Sequence, residues 1–159
     1  PRVVQIAGGD PQMMAEAAAC GIAQTRAQAA GVDASEFIRH YLSREHRDSR
    51  ATGCTMAALG ADAARQPESV RVAFEDGVEN LLAQLSQNGL PSDPAAAAQA
   101  RARILDALSH AVGALVMSRA CPDDSPLADE ILVVCRDAIL SSQRSPGTGK
   151  AKTRKRKAG

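Results

Sequence analysis

Cys54 is the side chain whose sequence neighbourhood promises most chemistry. It stands where a helix is expected to begin, and the backbone amides at a helix start activate a thiol, which would suit a redox-sensing role. The other cysteines, Cys20, Cys121 and Cys135, are far apart, and no Cys-x-x-Cys pair occurs. With three scattered histidines they give no zinc-ligand spacing, so reduced thiols without metal or cofactor are expected. Acidic residues are numerous, yet no nucleophile elbow, His-Glu-x-x-His pair, glycine-rich dinucleotide fingerprint or phosphate loop appears. No catalytic residue is assigned, and an enzyme is not expected.

Binding is the better prospect. Small-molecule sites are mostly apolar, with a few polar groups that orient the ligand. The large or soft side chains suited to an effector pocket are Phe37, Tyr41, Met56, Phe74 and Met117, with His110 as a further polar candidate. Tyr41 stands out because its hydroxyl can orient a polar ligand group. The same side chains would equally serve an ordinary core. His110 lies opposite the Leu108 stripe and either pairs with Asp106 or faces solvent, while His40 and His46 are expected at the surface.

The elements that must carry these residues follow from composition. Alanine supplies 32 of 159 residues, the only aromatics are Phe37, Tyr41 and Phe74, and tryptophan is absent, which argues for an all-α domain and against a sandwich or barrel. Residues 1–9 read as a flexible leader. Asp10-Pro11 starts a helix that reaches about Ala30 and stops at Gly31, and Asp33 with Glu36 opens a second through Leu42. Residues 43–53 are polar and read as a loop with at most one helical turn. A third helix covers about Cys54 to Arg65. Pro67-Glu68 begins a fourth that reaches about Gln87, with a stripe of Val70, Ala73, Phe74, Gly77, Val78, Leu81, Leu82 and Leu85. Asp93-Pro94 opens a fifth, to Ala120, and Pro126 a last, to Ser142.

On the fifth helix the apolar arc is Ile104, Leu105, Leu108, Ala111, Val112, Leu115 and Val116. The last helix has its main face at Leu127, Ile131, Leu132, Val134, Cys135, Ala138 and Ile139. Val133 and Leu140 fall on what should be its wet side. A helix apolar nearly all round must be covered nearly all round. The last two helices are therefore expected to pair with those of a second copy in a four-helix bundle. The interface expected is Leu105, Leu108, Val112, Leu115, Ile131, Val133, Val134 and Leu140; a monomer with two exposed apolar residues is the alternative.

The net charge of +1 hides a split. Seven of the 19 basic residues fall in 144–159, which has no acid, leaving 12 basic against 18 acidic side chains in 1–143. Residues 143–159 read as a disordered basic tail, either solubilising or in weak, salt-sensitive, non-specific contact with nucleic acid. No apolar run is long enough to span a bilayer and no signal peptide is visible, so a cytoplasmic protein is expected.

Two blocks carry a resemblance. Tyr41-Leu42-Ser43-Arg44-Glu45-His46-Arg47-Asp48, and then Gly53-Cys54 through Asp62 to Arg65, resemble the C-terminal domain of TetR/AcrR-type transcriptional regulators. There a Gly-Cys pair opens a helix bearing an acid, here Asp62 where glutamate is more usual. Gln66-Pro67-Glu68-Ser69-Val70-Arg71 is similar to that family's proline-led helix start. The resemblance spans about residues 10–142. It implies a TetR-like effector-binding and dimerisation domain of about six helices, whose last two form the dimer interface, and a small hydrophobic effector. Such regulators read operator DNA through an N-terminal helix-turn-helix, which has no counterpart in this chain, so no DNA-contact residues carry over. The resemblance also allows a truncated regulator that heterodimerises with an intact family member.

Overall fold

The computed structural model describes residues 34–51, 53–86 and 91–144. Every regular element among them is an α-helix: α1 Ala34–Tyr41, α2 Arg44–Asp48, α3 Thr55–Ala63, α4 Glu68–Leu85, α5 Pro94–Ala120 and α6 Pro126–Arg144. The all-α expectation holds for these residues. The leader, the helix expected from Asp10 to Ala30 and the basic run beyond Arg144 lie outside the described residues.

Local rules set most helix ends. At the start of α5 the Asp93 carboxylate accepts the Ala96 N–H at 2.8 Å, with Pro94 in the first turn where its missing N–H is not needed. Pro67 caps α4 and Glu68 is its first residue. Within the stretch expected as a loop, α2 forms because the Ser43 hydroxyl accepts the His46 N–H at 3.1 Å. It closes where the Ser49 N–H and hydroxyl both donate to the Glu45 carbonyl, at 3.1 and 2.9 Å.

The long helices α5 and α6 form an antiparallel hairpin. α1 packs on α6, and α2, α3 and α4 pack on α5. One core joins Ile38, Tyr41 and Leu42 to Cys54, to Ala111, Ala114 and Leu115 of α5, and to Leu132, Ile139 and Leu140 of α6. A separate small cluster holds Ala63 and Val70, with Phe74 against it. The Ser118 hydroxyl, fully buried, donates to the Ala128 carbonyl at 2.9 Å and ties the two hairpin arms.

Two expected faces are turned. On α5 the core side is Ala111, Ala114, Leu115 and Ser118, while Leu105 and Val116 face solvent. On α6 Val133 is exposed as the expected wet side requires, but Leu140 beside it in that expectation is buried, and Leu127, Val134 and Ala138 of the expected inner face are exposed. The reason is steric: Ala111, Ala114 and Ser118 let neighbours approach the α5 backbone closely, and close approach brings more packing contacts than a row of large side chains held apart. Among the described residues no helix is long and apolar enough to cross a membrane.

Candidate functional site

The most connected polar structure in the described residues is the joint between α2 and the C-terminal end of α5. Arg47 is 0% exposed. Its Nε and Nη2 donate to the Ser118 carbonyl at 3.3 and 3.2 Å, and Nη2 also reaches the carbonyls of Cys121 and Pro122 at 3.4 and 3.3 Å. Pro122 has no N–H to offer the Ser118 carbonyl, which takes the Cys121 N–H at 3.2 Å besides Arg47; the Pro122 carbonyl likewise accepts the Ser125 N–H at 3.1 Å, and a cation at this helix end complements the helix dipole. Nη1 donates to Asp48 Oδ1 at 2.8 Å, and the Asp123 carboxylate stands 3.7 Å from Nη2.

Arg119, in the last turn of α5, points the other way. Its Nε donates to the Arg47 carbonyl at 2.9 Å and its Nη2 to the His46 carbonyl at 3.0 Å, closing the end of α2. Gly53 makes room for it: a Cβ there would sit 2.5 Å from Arg119 Nη2 and 2.8 Å from the Ser49 carbonyl oxygen. Burial pulls the Arg119 guanidinium below its ordinary range, with Arg50 and Arg47 adding to the pull, against Tyr41 and Cys54, which favour the charged form. An outer ring of ion pairs surrounds the joint. Arg44 meets Asp129 at 2.6 Å and also donates to the Asp123 carbonyl, and Arg50 meets the Asp123 carboxylate at 2.7 Å.

Behind this joint lies Tyr41. Its ring is 5.7 Å from that of Phe37 and 4.7 Å from that of His46. His46 is buried, and its Nδ1 lies 2.7 Å from the Tyr41 carbonyl, so Nδ1–H donates and the ring is the Nδ1-protonated tautomer. Burial holds His46 below its usual pKa, and Arg119 and His40 push the same way, while the hydrogen bond to Tyr41 opposes them. The Tyr41 hydroxyl is buried with no strong hydrogen-bond partner, only the weak one that the Cys54 thiol offers. Desolvation, reinforced by Cys54, keeps it a neutral phenol, raised well above its ordinary value, although Arg119 acts in the other direction.

The six residues expected to line an effector pocket do not converge. Phe37, Tyr41 and Met56 share the main core. Phe74 belongs to the separate cluster with Ala63 and Val70. His110 is exposed, and so is Met117, at 61%; among the described residues no element covers that side of α5. His46 is a second correction, since it is buried under Tyr41 rather than at the surface; His40 is exposed as expected. Of the expected interface, Leu105, Val133 and Val134 are exposed, Leu108, Val112 and Ile131 are half-buried, and Leu115 and Leu140 are enclosed by their own chain.

The residues that sequence reasoning missed are Arg47, Ser118 and Arg119. Ser43 did carry a helix-cap signal in front of Glu45. Apart from the adjacent Asp48 carboxylate nothing local marks Arg47, whose other acceptors are backbone carbonyls 71 to 75 residues away. Among the described residues no three His, Cys, Asp or Glu side chains come together as a metal-ligand set. No protein-family model, curated protein or solved structure matches this chain.

Proposed function

We propose that this chain is the sensory and dimerisation domain of a TetR-like transcriptional regulator acting in the cytoplasm, responsive to a small hydrophobic effector. The observation that carries the reading is the apolar surface that the α5–α6 hairpin leaves in water. Leu105, Val116 and Met117 on α5, and Leu127, Val133 and Val134 on α6, are all exposed, Val134 at 58%. A hairpin of two long helices with large apolar side chains outside suits pairing with the same hairpin of a second copy, as a four-helix bundle about a two-fold axis. The interface then centres on Leu105, Val133 and Val134, with Val116 and Leu127 added. Leu115 and Leu140 have no surface to contribute. The effector reading leans on Phe37, Tyr41 and Met56, which share one cluster between α1 and α3.

Sedimentation velocity at tens of micromolar tests the pairing. A dimer is expected, and Leu127→Glu with Val134→Glu should convert it to a monomer of unchanged helicity. A monomeric parent chain would overturn the interface. An apolar effector that binds only the folded protein should raise its melting temperature as the logarithm of free ligand concentration.

A further inference from the structure

The short helix α2 is held by polar contacts. None of its five residues, Arg44–Asp48, belongs to the apolar core, although His46 and Arg47 are buried. The helix packs on α1 and on α5. Its anchors are the Arg47 guanidinium on the Ser118, Cys121 and Pro122 carbonyls, the Arg119 guanidinium on the His46 and Arg47 carbonyls, and Arg44 on Asp129. A segment attached in this way can leave without parting Ala111, Leu115, Leu132 and Ile139 in the core behind it.

Positive charge is already in excess at this joint. Four guanidiniums, of Arg44, Arg47, Arg50 and Arg119, share it with three carboxylates, of Asp48, Asp123 and Asp129. Each carboxylate is engaged: Asp48 lies 2.8 Å from Arg47, Asp123 2.7 Å from Arg50 and Asp129 2.6 Å from Arg44. Glu45 is exposed and pairs with none of these cations. His46 stands among them, 5% exposed. From α1 it meets the rings of Tyr41 and His40, at 4.7 and 5.9 Å between centroids. From α5 it meets Arg119, whose Nη2 lies 3.0 Å from the His46 carbonyl oxygen. No carboxylate is among these neighbours. The ring donates from Nδ1 to the Tyr41 carbonyl at 2.7 Å, and among the described residues its Nε2 has no acceptor to face.

We propose that His46 is a proton-operated latch: a second proton on its ring releases α2 from α1 and from the end of α5, while the α5–α6 hairpin stays folded. In the closed joint the added charge meets no carboxylate, the new Nε2–H meets no acceptor, and Arg119 and His40 stand close by. In the released segment water solvates the imidazolium, and the Tyr41 ring loses its cover. Between 6.5, the ordinary histidine value, and the lower value that the closed joint imposes, the open form binds the proton and the closed form does not. Each pH unit downward in that window therefore multiplies the open population about tenfold.

The experiment is amide hydrogen exchange on the full chain at falling pH, read by mass spectrometry as protection factors, so that the intrinsic pH dependence of exchange is removed. Peptides covering 43–49 should lose protection about tenfold per pH unit below 6.5, through the N–H groups of Arg47 and Ser49 that bond the Ser43 and Glu45 carbonyls. Peptides within 111–118 and 132–140 should keep theirs. Tyr41 is the only tyrosine and tryptophan is absent, so acrylamide quenching of the intrinsic fluorescence reports the uncovering of that ring and should rise over the same range. His46→Gln still has a donor for the Tyr41 carbonyl but does not titrate, and should abolish both responses; His40→Gln should retain them. Protection at 43–49 that is constant with pH, or that falls only together with that of the hairpin, would overturn the proposal. So would a response that survives in His46→Gln.

Discussion

Arg47 and Arg119 cap each other's helices. The Arg47 guanidinium lies on the carbonyl of Ser118, the residue next to Arg119, and the Arg119 guanidinium lies on the carbonyl of Arg47 itself. Two like charges therefore sit close together in a partly dry joint. Such an arrangement is tolerable because all three Arg47 nitrogens, and Nε and Nη2 of Arg119, have a carbonyl or carboxylate to meet, and the partial negative charge at both helix ends offsets the repulsion. The joint fixes the short α2 to the far end of α5, and with it the position of His46 under Tyr41.

Arg47→Ala should destabilise the protein by about 3 kcal/mol, since it removes the hydrogen bonds that join α2 to the Ser118, Cys121 and Pro122 carbonyls and leaves a cavity where a fully buried side chain stood. Arg47→Lys keeps the charge but lacks the planar fork, and should fall between parent and alanine variant. Asp123→Asn should move the urea midpoint little, because that carboxylate is 76% exposed. Equal midpoints for Arg47→Ala and Asp123→Asn would count against the capping account.

Gly53→Ala should cost about 1–3 kcal/mol. The added methyl meets Arg119 Nη2, which can swing aside only by releasing His46 and Arg47, and it meets the Ser49 carbonyl oxygen, which is backbone. Thermal melts check the loss. Gly113→Ala is the contrast, for nothing lies within 4 Å of a Cβ there, and it should be neutral or stabilising.

Tyr41→Phe should stabilise the protein by about 1 kcal/mol, because it removes a buried hydroxyl that has no strong partner and keeps the ring against Phe37 and His46. A clear drop in melting temperature would mean that the hydroxyl is bonded in solution.

Stability should also depend on His46. Its folded pKa lies below the reference 6.5, so between the two values the unfolded chain binds more protons. The contribution of neutral His46 is whole above about pH 6.5 and drains away as pH falls towards the folded value. Urea midpoints measured downward from neutrality should decline through this window, and His46→Gln should flatten the decline. An unchanged slope in the variant would assign it to other groups.

The amino-acid sequence alone determined the helical class and most helix boundaries. Asp93-Pro94, Pro67-Glu68 and Pro126 act within a turn of themselves, through a cap carboxylate or a missing N–H, so their effect is local and readable. The stripe of α4 was legible for the same reason, with Val70, Gly77, Leu81 and Leu82 all buried. What only the tertiary structure decided is which side of α5 and α6 turns inward, and which polar groups go with it. Periodicity marks an apolar arc but does not say where neighbours come closest, so Ser118 and Leu140 are inside while Val116 and Val134 are outside. The parting of Phe74 from Tyr41 was invisible for that reason too. Arg47 and His46 stood in a polar stretch that reads as surface; the carbonyls that hold Arg47 belong to the far end of another helix, and a backbone carbonyl leaves no signature in the residue types that carry it.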